Sequence, residues 1–125
     1  MPENGRRAIL VVDDDSDIRA ILGAVLEAEG YHVSEAPNGE IALRVVRNAH
    51  KPDLMLLDLM MPVLSGFELL EMAADGDPDL NAVPIFVISA FGEPPTAKGP
   101  GGVKRAFRKP IDMGTLLTAV HQQLD

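Results

Sequence analysis

The chain has no cysteine, which excludes disulfides, thiolate nucleophiles and Cys-based zinc or iron–sulfur sites. Basic residues are scarce: 11 Lys and Arg stand against 19 Asp and Glu, for a net charge of −8. That balance argues against nucleic acid and against an anionic membrane surface as partners. No apolar run approaches the roughly 20 residues of a membrane span, and residues 1–7 (MPENGRR) lack a signal peptide's apolar stretch. A glycine-rich phosphate loop is also missing after the first apolar run, where carboxylates would repel a dinucleotide. The expectation is one cytoplasmic domain over residues 1–125, since domains average roughly 150 residues.

What is there has a rhythm. Three short apolar runs, Ala8–Val12, Leu54–Leu57 and Ile85–Ile88, suit strands covered on both faces of a parallel sheet. Tyr31–Glu35 and Arg105–Arg108 mix polar and apolar residues and read as edge strands. Helical periodicity fills the gaps. Asp15 or Ser16 caps a first helix carrying Ile18, Ile21, Leu22, Val25 and Leu26, and Gly30 ends it. Asn38 opens a second, a shorter one runs from Gly66 to about Ala74, and the last starts at Asp112. Alternating strands and helices predict an α/β fold: a flavodoxin-like, doubly wound, five-stranded parallel sheet of order 2-1-3-4-5. Residues 91–102 (FGEPPTAKGPGG) hold four Gly and three Pro, which oppose a helix interior by roughly 1 and 3 kcal/mol each. The fourth crossover helix is therefore expected to be short or irregular.

In such a sheet, ligands bind beyond the carboxyl ends of the strands. Asp13, Asp14, Asp15 and Asp17 follow strand one, Asp58 follows strand three, Ser89 strand four and Lys109 strand five. Strands one and three are neighbours, so Asp13, Asp14 and Asp58 converge and repel one another. Mg²⁺ resolves that conflict, because it accepts one or two carboxylates, keeps waters and tolerates a phosphate ligand. A carboxylate beside it can attack phosphorus, with Lys109 and Ser89 meeting phosphoryl oxygens. Nucleophile, metal and charge clamp are the parts of in-line phosphoryl transfer.

The segments ILVVDDDSDIR, PDLMLLDLMMPVLSGFELL, VISA and RKP, in that order over about residues 7–124, resemble the CheY-like receiver domain of two-component response regulators. The resemblance implies that Asp58 is the phosphoacceptor and that Asp13, Asp14, Asp58 and the backbone carbonyl of Met60 hold Mg²⁺. It makes Ser89 the switch hydroxyl and Lys109 the phosphoryl-binding lysine, with Lys109–Pro110 a cis peptide. Ala90 then gives access to the site, and Met60 and Phe91 flank the path of attacking water. The implied donor is a sensor histidine kinase or a histidine phosphotransfer protein, and the output is an unnamed downstream protein. No outside substrate is turned over. Two departures concern output: Ala106 stands where the family carries Tyr or Phe, and Gly and Pro crowd the fourth crossover. They point to a readout through residues 91–104.

Simpler readings stand beside these. Asp15 and Asp17 serve as helix caps and dipole charges. His32, His50 and His121 follow no ligand spacing and read as surface residues. Lys98, Lys104, Arg105, Arg108 and Lys109 form either a docking face for an acidic partner or a solvated edge. An EF-hand fails, because Ile18 and Ala24 occupy the sixth and twelfth loop positions. A haloacid-dehalogenase-type phosphatase fails, because Met60 stands where its second Asp belongs. The remaining rival is a receiver-fold interaction module that acts independently of phosphorylation.

Overall fold

The computed structural model describes residues 6–48, 51–61, 63–90 and 103–125. Five parallel strands, β1 (Ala8–Val12), β2 (His32–Ala36), β3 (Leu54–Asp58), β4 (Ile85–Ser89) and β5 (Val103–Arg108), lie in the order β2-β1-β3-β4-β5. The two polar-mixed segments sit at the edges, as their composition requires. The helices among the described residues are α1 (Ser16–Ala28), α2 (Gly39–Val46), α3 (Gly66–Ala74), α4 (Pro78–Asn81) and α5 (Met113–Leu124).

Alternation along the strands divides the apolar residues between two cores. Leu10, Val12, Met55, Leu57, Ile85 and Val87 face Ala42 and Val46 of α2, Leu69 and Leu70 of α3 and Leu80 of α4. Ile9, Val11, Leu54, Leu56, Phe86 and Ile88 face Leu22 and Leu26 of α1 and Leu116 and Val120 of α5. Each Leu, Ile or Val buried this fully contributes roughly 1.5–3 kcal/mol, so the central strands must be apolar on both sides. Among the described residues, no helix is long and apolar enough to cross a membrane.

Helix starts are fixed by local chemistry just beyond the strand ends. The Asp15 carboxylate accepts from the N–H groups of Asp17 and Ile18, Asn38 from Ile41 and Asp112 from Thr115. Ser65 and Glu68 form a reciprocal capping box at α3. Each cap is worth about 1 kcal/mol, and those at Asp15, Ser65 and Asp112 anchor the loops that carry Asp13 and Asp14, Met60, and Lys109.

Three details differ from the sequence reading. β2 starts at His32, leaving Tyr31 buried in the preceding turn, and β5 starts two residues early at Val103. A one-turn helix, α4, was not anticipated. Asp77 caps it and Pro78 occupies its first turn, and four residues carry no readable periodicity. Residues 91–102, where a short or irregular fourth crossover helix was expected, lie outside the described residues, and Phe91 and Lys98 with them.

Candidate functional site at the carboxyl edge of the sheet

The end of β1 and the end of β3 bring two buried carboxylates side by side. Asp13 is 2% exposed and Asp58 5%, and no other charged side chain is buried among the described residues. The Asp13 N–H donates to the Ala36 carbonyl of β2 at 3.1 Å, and Asp13 Oδ1 accepts the Asp15 N–H at 2.9 Å. Asp14 is exposed, yet one oxygen each from Asp13, Asp14 and Asp58 lies within 4.8 Å of the others. At an effective dielectric near 20, two charges so placed repel by about 3–4 kcal/mol.

Lys109, just past β5, reaches into this cluster. Its Nζ stands 3.2 Å from Asp13 Oδ2 and 3.7 Å from Asp58 Oδ2. Burial alone would lower the pKa of Lys109, but its hydrogen bond to Asp13 and the charges of Asp13, Asp58 and Asp14 raise it instead. Asp58 moves the other way for an acid. Burial first, then the Asp13 charge, push its pKa up to about 6, against the lowering effects of the Met60 N–H and Lys109. Three carboxylates with one ammonium leave two negative charges in excess. An all-oxygen donor set with that excess suits a hard divalent cation.

The loop after β3 is built around close backbone approaches. The Gly66 N–H donates to the Leu59 carbonyl at 3.2 Å. A Cβ on Gly66 would lie 2.3 Å from the Asp58 carbonyl oxygen and 2.7 Å from Leu59 Cα, so only glycine lets α3 start there. Within the loop, Val63 adopts φ 70°, an unfavourable conformation for a β-branched residue. The Met60 N–H donates to Asp58 Oδ1 at 3.3 Å, and its side chain is half exposed.

Asp13, Asp14, Asp58 and Lys109 thus meet, with the Met60 backbone against Asp58. Ser89 ends β4 in register with Arg108, but its side chain lies outside the description. Ala90 is exposed, and Lys109–Pro110 is cis. Ala106 is exposed, while Phe107 turns to the α1–α5 core with its ring 5.6 Å from Phe86, as strand alternation requires. An apolar hollow of about 450 Å³, lined by Ile18, Ile21, Leu22, Pro110, Ile111 and Met113, opens beside Lys109.

Sequence reasoning passed over Arg19, whose Nη1 donates to the Asp13 carbonyl at 2.6 Å and whose Nε meets Glu35 Oε1 at 3.1 Å. Its position one turn into α1, after the capping Asp15, was the available signal. His121 lies at the surface as expected, but both ring nitrogens have partners. Nε2 meets Glu29 Oε1 at 2.8 Å, and Nδ1 meets Asp125 Oδ2 at 2.5 Å and the Tyr31 hydroxyl at 2.8 Å. Partners 90 and 92 residues away gave no local pattern.

The sequence profile of the response regulator receiver domain matches residues 9–121. A probable transcriptional regulator ycf27 of Pyropia yezoensis is 45% identical over 92 residues, covering 73% of this chain but 35% of that protein. The chain thus spans about a third of that relative's length. The response regulator receiver protein CpdR of Brucella abortus is 34% identical over 119 residues, covering 94% of this chain and 97% of the relative. Among solved structures, the response regulator TrrA of Thermotoga maritima, in complex with Mg²⁺–BeF, superposes with a TM-score of 0.77. It is 30% identical, covering 94% of this chain and 99% of that one.

Proposed function

This chain belongs to the response regulator receiver domain family, and we propose that it is a phosphorylation-controlled switch whose phosphoacceptor is Asp58. The observation that carries this reading is the convergence of buried Asp58 with Asp13, Asp14 and Lys109. An Asp58 oxygen attacks the phosphorus of a phosphohistidine, the new O–P bond forms as the P–N bond breaks, and the imidazole leaves with that electron pair. Lys109 holds a phosphoryl oxygen by charge, and the Ser89 hydroxyl takes another. Asp13, Asp14, Asp58 and the Met60 carbonyl would hold Mg²⁺, which when bound neutralises the crowded carboxylates and the transferring group. Arg19 and the Asp13 N–H bond to Ala36 keep the Asp13 loop in place.

The donor is a sensor histidine kinase or a histidine phosphotransfer protein, and the apolar hollow beside Lys109 offers it a place to dock. The output is a downstream protein, and the switch operates in a bacterial cytoplasm. Receiver domains are signalling modules. In this one, the chemistry stops at its own phosphorylation and hydrolysis. The test is intact-protein mass after incubation with a small acyl phosphate, with and without Mg²⁺, beside Asp58→Asn. One added phosphoryl group that needs both Mg²⁺ and Asp58 supports the reading. No gain from either that donor or a phosphorylated histidine phosphotransfer protein overturns it. The exposed Ala106, in the place of an aromatic side chain, favours a second reading: a binding module indifferent to phosphorylation.

A further inference from the structure

Asp13 is fixed at every polar atom, by four different parts of the chain. Its N–H donates to the Ala36 carbonyl of β2 at 3.1 Å, Oδ1 accepts the Asp15 N–H at 2.9 Å, and Oδ2 stands 3.2 Å from Lys109 Nζ. The fourth bond comes from Arg19, whose Nη1 donates to the Asp13 carbonyl oxygen at 2.6 Å.

That contact follows from how α1 begins. The Arg19 N–H closes the first turn on the Asp15 carbonyl at 3.1 Å, and a helical side chain leans towards its own N-terminus. Arg19 therefore reaches back past the capping Asp15 to the end of β1. Its other side meets β2, where Nε donates to Glu35 Oε1 at 3.1 Å. Glu35 stands in register with Val11, and the next residue, Ala36, holds the Asp13 N–H. One edge strand thus supports Asp13 twice, directly through Ala36 and indirectly through Glu35 and Arg19.

Two features separate this arginine from the surface ion pairs of the chain. Its side chain is 16% exposed, against 49–70% for Arg7, Arg44 and Arg47, so its bonds are shielded from water. It also donates to a main-chain carbonyl. Lys109 sits against the carboxylates of Asp13 and Asp58, whereas Arg19 holds Asp13 and leaves its carboxylate oxygens to other partners. A lone guanidinium here would repel a cation, but the Glu35 charge cancels it in place.

We propose that Arg19 and Glu35 form a charge-neutral clamp that positions Asp13 for a divalent cation. Arg19 is the positioning residue. Glu35 keeps its guanidinium turned to the Asp13 carbonyl and removes its repulsion of the ion. The proposal rests on the reading of Asp13, Asp14 and Asp58 as a Mg²⁺ site, and it needs no phosphoryl transfer. Groups that orient a metal ligand without touching the metal are worth roughly 10–100-fold in affinity.

Charge and position predict opposite signs, which separates them by experiment. Mg²⁺ is titrated into the full, unphosphorylated, ¹⁵N-labelled chain, and its dissociation constant is read from the amide shifts of Asp13, Asp14 and Met60. Arg19→Gln removes a positive charge beside the site, so charge alone would tighten binding, whereas the clamp predicts about tenfold weakening. Arg19→Gln/Glu35→Gln keeps the parent's net charge of −8 and should be weakened as much. Glu35→Gln keeps an oxygen for Arg19 Nε but leaves the guanidinium unneutralised. It should weaken binding by about two- to fivefold, and that loss should fade in about 1 M salt, where screening acts within about 3 Å. Unchanged or tighter binding in Arg19→Gln, or parental affinity in the double variant, overturns the proposal while the parent still binds Mg²⁺. A parent that shows no shifts overturns the reading of the site as well. Urea midpoints in chelator accompany each titration, and a lowered midpoint with an unchanged dissociation constant would make Arg19 merely structural and overturn the clamp. Should the Arg19 variants fail to fold, Glu35→Gln decides alone, and undiminished affinity there overturns the proposal.

Discussion

Replacing Asp58 with Asn should make the metal-free protein more stable, and by an amount that depends on pH. Asp58 is an acid whose folded pKa, about 6, lies above the ordinary 3.8. The folded state therefore disfavours the carboxylate. The penalty is complete above the folded value and fades as pH falls through 6 towards 3.8. Two-state linkage puts it at about 3 kcal/mol at pH 8, about 1.5 at pH 5 and about 0.5 at pH 4. Asn keeps the shape and an oxygen for the Met60 N–H, and Lys109 keeps Asp13, so the charge is the main thing removed. Urea unfolding followed by far-ultraviolet circular dichroism in chelator measures both proteins. The midpoints should separate most at pH 8 and converge by pH 4. Mg²⁺ should then narrow the gap at pH 8, since a cation held by the three carboxylates stabilises only the folded state that assembles them. An Asn variant equal to or weaker than the parent at pH 8, or a gap that widens with acid, would refute the reasoning.

Three further outcomes follow from the same geometry. Gly66→Ala forces a methyl to 2.3 Å from the Asp58 carbonyl, and should cost about 1–3 kcal/mol in urea unfolding while slowing acyl-phosphate labelling. Val63→Asn should gain about 0.5–1 kcal/mol, because Asn tolerates the left-handed φ of 70° that strains Val; a lowered urea midpoint would contradict this. His121 has its pKa raised, chiefly by hydrogen bonds to Glu29 and Asp125, so its tie between α1 and α5 is complete below about 6.5 and is lost as pH rises through the higher folded value. The difference in melting temperature between the parent and His121→Gln should therefore shrink on going from pH 6 to pH 9, and a constant difference would rule the tie out.

Much of the fold was legible because its causes are local. Apolar runs of four or five residues announce strands buried on two faces, the polar-mixed segments announce edges, and Asp15, Asn38 and Asp112 mark helix starts by chemistry confined to one turn. The acids and Lys109 were legible as a group because the order β1-β3-β4-β5 places their loops along one edge. The four-residue α4 escaped notice, since one turn has no period to detect. So did the two-residue extension of β5, whose bulge depends on how Ile85 and Phe86 face their neighbour.

Sequence by itself determined which residue types stand after each strand, and with them the acidic site and the family. Tertiary structure alone decided the quantities that depend on distances through space. It put Lys109 3.2 Å from Asp13 and 3.7 Å from Asp58, and it buried Asp58 deeply enough to hold its proton to about pH 6. It set the Arg19 guanidinium on the Asp13 carbonyl and joined His121 to residues about 90 positions away. Burial and charge pairing are sums over neighbours from distant parts of the chain, and only folding brings those neighbours together.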